Sequence, residues 1–129
     1  MRTNQLREVI KDKLEHLRDN FPEIKSDGIA YGQVSTSVMY PHVVYDFSDM
    51  DPMDMGREDL TLDVHVWTKD RAQSFDIIDE VVDLLSFSND PQPYILPTFY
   101  FTSAGTIDDP DKSICHAVVR FQVQNYRRV

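Results

Sequence analysis

The sequence predicts an α+β fold, a mostly antiparallel sheet with two helices packed on one face. Apolar residues recur at helical spacing in two stretches, while residues 60–67 and the last third of the chain alternate with period two. The order is helix, strands, helix, hairpin, which suits helices gathered on one side of neighbouring strands.

In the first 21 residues, Leu6, Val9, Ile10, Leu14, Leu17 and Phe21 share one stripe at about 3.6 residues per turn. Thr3 is a suitable N-cap, and Pro22 ends the pattern by restricting Phe21 and withholding an amide. The other faces alternate Arg7, Lys11, Lys13 and Arg18 with Glu8, Asp12, Glu15 and Asp19, so this helix presses one side onto the body. Asp27-Gly28 and Gly32 then punctuate short β-prone pieces, Ile29-Ala30-Tyr31 and Val38-Met39-Tyr40. Residues 40–47 read as a strand with Pro41 near its beginning, where a missing amide is tolerated. Residues 48–59 read as a long polar loop.

Residues 60–67 give the cleanest alternation. Leu60, Leu62, Val64 and Val66 take one face, and Thr61, Asp63, His65 and Trp67 take the other. A second helix is expected over 71–85, with Asp70 and Gln73 at capping-box spacing. Phe75, Ile78, Val82 and Leu85 form its stripe, widened by Ile77, Val81 and Leu84. Its outer side is Asp76, Asp79, Glu80 and Asp83, without basic partners at helical spacing. Ser88-Asn89-Asp90-Pro91 terminates it. Residues 94–103, interrupted by Pro97, and 113–126 then form a hairpin around the turn-rich 104–112. On the last strand Cys115, Ala117, Val119, Phe121 and Val123 face one way, and Ile114, His116, Val118, Arg120, Gln122 and Gln124 the other.

The 129 residues have the size of one domain, taken as 1–129. Twenty-two acids against 13 bases leave a formal charge of −9, the wrong sign for non-specific DNA binding or for an anionic membrane surface. The single cysteine excludes a disulfide framework and a cysteine-cage zinc site. The charged start lacks the apolar core of a signal peptide, and no apolar run approaches the roughly 20 residues of a membrane span. A soluble protein of a reducing compartment is expected.

Residues 46–59 hold six acids against Arg57 alone, yet the register of a calcium loop fails. With Asp49 first, Asp54 falls where glycine is needed and Leu60 where a bidentate glutamate is needed. Asp49, Asp51 and Asp54, interleaved with Met50, Met53 and Met55, better suit an adaptable contact surface. Cys115 and His116 are strand neighbours that point to opposite faces, so they do not form a nucleophile–base pair. Asp63, His65 and His116 share a face and could orient an acid–base histidine, the basis of a rival reading as a small cytosolic α+β enzyme or ligand-binding domain. The mixed face bearing His65, Trp67, His116 and Arg120 suits a subunit contact better, being too polar for a core and too apolar for open solvent. His16 and His42 are placed as surface or edge residues. Tyr94, Phe99, Tyr100 and Phe101 lack the basic groove of a base-stacking site and read as strand core.

Tyr40-Pro41-His42-Val43-Val44, the polar insert, and Leu60-Thr61-Leu62-Asp63-Val64-His65-Val66-Trp67-Thr68-Lys69-Asp70-Arg71 together resemble the tail completion proteins of long-tailed bacteriophages, also called tail terminators or head–tail joining proteins. The resemblance continues in order through Ile77-Ile78-Asp79-Glu80-Val81-Val82-Asp83-Leu84-Leu85 and His116-Ala117-Val118-Val119-Arg120-Phe121-Gln122-Val123. It implies a structural virion protein without catalytic residues or cofactor. Such a protein forms a ring, commonly a hexamer, between the tail tube protein and the head connector, and DNA passes through it unbound. A neck adaptor or minor tail protein is the neighbouring reading. On this view either the stripe Asp76, Asp79, Glu80 and Asp83 or the acidic segment 46–59 lines the lumen, because acids repel phosphates, and the other docks onto a neighbouring ring.

Overall fold

A computed structural model of the chain describes residues 2–33, 39–52, 57–86 and 95–127, without the side chains of residues 2, 3, 50–52 and 127. The N-terminal apolar stripe folds as α1 (Arg2–Glu15), continued after His16 by a single turn, α2 (Leu17–Asn20). The break is a tightening, in which the His16 amide donates to Lys13 O, three residues back, at 3.2 Å. The helix starts at Arg2, so Thr3 lies inside the first turn and is not its cap. Phe21 leaves the helical region before Pro22, as the clash with the proline ring requires.

The strands are β1 (Ile29–Tyr31), β2 (His42–Pro52), β3 (Arg57–Thr68), β4 (Ile95–Ile107) and β5 (Cys115–Arg127), with α3 (Arg71–Leu85) between β3 and β4. They form one five-stranded sheet in the order β1-β2-β3-β5-β4, with only the β1–β2 pair parallel. Gly32 turns the chain out of β1 at φ +83°, a conformation that suits glycine, and its amide donates to Tyr45 O at 3.0 Å. Pro97 sits in β4, an edge strand, where the absent amide interrupts fewer ladder bonds.

Both long helices cover the same face. α1 lies against α3, β1 and β4, and α3 lies against β3, β4 and β5. Leu6, Ile10 and Leu14 of α1 and Ile77, Val81 and Leu85 of α3 are fully buried against Leu62, Val64, Val66, Phe99, Val119 and Phe121. The α+β architecture read from the sequence is thus the one observed.

Three local expectations are corrected. Residues 48–52 and 57–59, read as loop, extend β2 and β3, with Asp49 opposite Thr61, Met50 opposite Leu60 and Asp51 opposite Asp59. Likewise β4 runs on to Ile107, because β5 offers a partner for residues whose own composition suggests a turn. The buried stripe of α3 is Ser74, Ile77, Ile78, Val81 and Leu85, leaving Phe75 47% exposed. Ser74 is drawn inward because its hydroxyl bonds Thr68 Oγ1, itself buried. The Asp70 cap is real, its carboxylate accepting from the Ala72 amide at 3.0 Å, but the Asp70 amide donates to Thr68 Oγ1 rather than to Gln73.

Met39 and Tyr40 fall outside any strand. Val38, Met53, Asp54, Met55, the 88–91 terminator and Tyr94 lie outside the described residues.

Candidate functional site: the open face of the sheet

Strand alternation turns Thr61, Asp63, His65 and Trp67 of β3 away from the helices. The antiparallel register then sets Gln122, Arg120, Val118 and His116 of β5 directly opposite them. From the other side, β2 brings His42 opposite Trp67, Val44 opposite His65 and Asp46 opposite Asp63. His65, Trp67, His116 and Arg120, named from the sequence, therefore meet in one patch.

Two kinds of bond hold it. Arg120 Nε donates to Asp63 Oδ1 at 2.8 Å and its Nη2 reaches Oδ2 at 3.4 Å. The Asp63 side chain is 7% exposed, so Arg120 removes the cost of an uncompensated buried carboxylate, and that hydrogen bond in turn raises the Arg120 pKa. One row along, His65 Nδ1 and His116 Nε2 are 2.9 Å apart, a direct imidazole–imidazole hydrogen bond. Trp67 stacks on His116 with ring centres 4.1 Å apart and planes at 15°. It also stacks on His42 at 5.3 Å and on His65 at 5.5 Å.

The sequence reading missed His42 as a member. It is 8% exposed, sandwiched between Tyr40 and Trp67, and it is no surface residue. Burial lowers its pKa, and burial first, then the charge of His65, lowers that of His116. Only the register with β3 places His42 there, and a single strand does not carry that signal. His16 is on the surface as expected, its ring 3.4 Å from Asp19.

The donor atoms of Asp46, Asp63 and His65 come within 4.8 Å of one another. Arg120 already engages Asp63 and places a positive charge beside it, so the trio reads as an ion-pair cluster and no metal ligand is assigned. A cavity of about 100 Å³ opens near His116, lined by Arg71, Thr106, Lys112 and Cys115 among others, but by neither His65 nor Asp63. Small-molecule sites occupy roughly 300–1,000 Å³. The patch itself is an open surface, and the cavity beside it is smaller than such sites.

The acidic candidates are dispersed. Asp76, Asp79 and Asp83 lie exposed along α3 beside Phe75, while Glu80 is half-buried and accepts from Asn20 Nδ2 at 3.2 Å. Asp49 is exposed on β2, and Asp51 pairs in register with Asp59. Asp59 is clamped by Arg57 through two 3.0 Å bonds, which hold its carboxyl below the usual range.

A solved chain described as "Virion of native gene transfer agent (GTA) particle" shares the fold, with a TM-score of 0.67, 12% identity and 91% of each chain covered. No curated protein matches the sequence. The family model described as tail completion protein gp17 matches residues 24–124, spanning β1 to β4, α3 and most of β5. The chain therefore belongs to the tail completion protein gp17 family, and is a structural protein of the bacteriophage neck and tail.

Proposed function

We propose that the protein closes into a ring of identical copies, six in number, at the top of the tail tube. There it ends tube growth and presents the surface on which the head connector docks, making and breaking no covalent bond and using no cofactor. The observation that carries this reading is the open sheet face centred on Trp67, in a chain whose family completes tails. A closed ring needs two different patches on each subunit, and a partly apolar, directional face supplies one of them. Asp49, Asp51, Asp54, Met50 and Met53 at the β2–β3 hairpin are proposed as a second contact with a neighbouring virion protein.

DNA passes through the ring without specific binding, which accords with the formal charge of −9. The stripe Asp76, Asp79, Glu80 and Asp83 is proposed as lumen lining, with Glu80 the least available because Asn20 already holds it. Particles assembled without the protein should leave heads and tails unjoined, whereas complete, infectious particles would overturn the proposal. Changing Asp76, Glu80 and Asp83 together to Lys should slow DNA ejection, and unchanged ejection would remove that stripe from the lumen.

A further inference from the structure

The closest polar contact between rings on the open face is the bond between His65 Nδ1 and His116 Nε2 at 2.9 Å. Such a bond needs one nitrogen to donate and the other to accept. With both rings neutral, the requirement is met. With one ring protonated it is met again, and the bond becomes charge-assisted. With both protonated, two N–H groups and two positive charges point at each other across 2.9 Å, and the contact cannot persist.

We propose that His65 and His116, with Trp67 stacked against both rings, form a proton-operated latch: it stays closed with zero or one added proton and opens on the second. Opening strips Trp67 of its 4.1 Å stack on His116 and changes the surface that the face offers to a partner. This inference concerns the chain by itself and does not depend on ring formation.

The surroundings of His116 oppose its protonation. From β2, Asp46 approaches His65, and His42 stacks on the far side of Trp67. From β3, Asp63 lies beside His65, but its charge is shared with Arg120 of β5. Asp109, before β5, favours the charged form of His116 less strongly than burial and His65 oppose it. On β4 the opposing residues Ile107, Gly105 and Ser103 carry no charge. Beyond His42 stand Tyr40 and Lys69, the latter 5.5 Å from the Tyr40 ring. Protonation of His116 therefore falls below 6.5, the ordinary histidine value.

Trp67 is the only tryptophan, so its emission reports the latch directly. Acidifying the full-length protein from about pH 8 to about pH 5 should shift Trp67 emission to longer wavelength, with far-UV circular dichroism unchanged. His116→Gln, which stays neutral, should abolish the shift. Imidazole nitrogen NMR on the unaltered protein provides the arm that needs no variant. The His116 ring nitrogen should show a hydrogen bond to His65 that is present at neutral pH and lost on acidification, while His42, with no imidazole partner, shows none. Persistence of that hydrogen bond through acidification, or an emission shift that survives in His116→Gln, would overturn the latch.

Discussion

One sheet carries two faces built on opposite rules. Toward the helices, Leu60, Leu62, Val64 and Val66 of β3 lie opposite Val123, Phe121, Val119 and Ala117 of β5, all exposed by 1% or less. Away from the helices, the intervening residues of the same strands form the Asp63–Arg120 ion pair, the His65–His116 bond and the Trp67 stack. The covered face gains its stability from non-directional burial, which depends on volume and apolarity. The open face depends on angle, distance and protonation. The difference teaches that adjacent residues on one strand are held by different forces, so a step of one position separates apolar burial from directional polar bonding.

The largest test of that separation is Phe121→Ala, which deletes a fully buried ring from the covered face. It should cost about 3–5 kcal/mol, read from the urea midpoint, and a loss below about 1 kcal/mol would show that the core lies elsewhere. Trp67→Ala, on the other face, should cost only about 1–2 kcal/mol while weakening self-association markedly. A larger loss of monomer stability with assembly intact would merge the two faces into one structural role.

The smallest effect is that of acid. His42 and His116 have lowered pKa values in the fold, so the unfolded chain binds their protons more readily. Stability from these two is complete above 6.5 and declines as pH falls below it toward the folded values. Asp59, clamped by Arg57, and Asp111, which accepts from the Ser113 amide and hydroxyl, are also lowered, so their contribution is present above 3.8 and is lost as pH falls below that value. Urea titrations across this range should show the slope, and His116→Gln should flatten part of it. A slope unchanged in that variant would place the acid sensitivity outside the open face.

What the sequence disclosed, and what it hid, follows the same division. The covered face was legible because periodicity is local: Leu60 to Val66 alternate without interruption, and the second helix matches 71–85 at both ends. Phe75 was misplaced because Thr68, from the preceding strand, bonds Ser74 and rotates the buried stripe. The open face was legible only as a list of residues sharing a side. That His42 would lie against Trp67, or that two histidine rings would bond, depends on registers fixed by distant pairings. The extensions of β2, β3 and β4 were hidden for a similar reason, since their acids, glycine and serine become strand by pairing with a neighbour.

The central claim, that this protein works by assembling with copies of itself on the tail, is tested most directly by mass. Purified tail tubes should bind the protein at one end, in a closed set of about six chains of 15.0 kDa each. Single chains scattered along the tube, or none retained on it, would contradict the account.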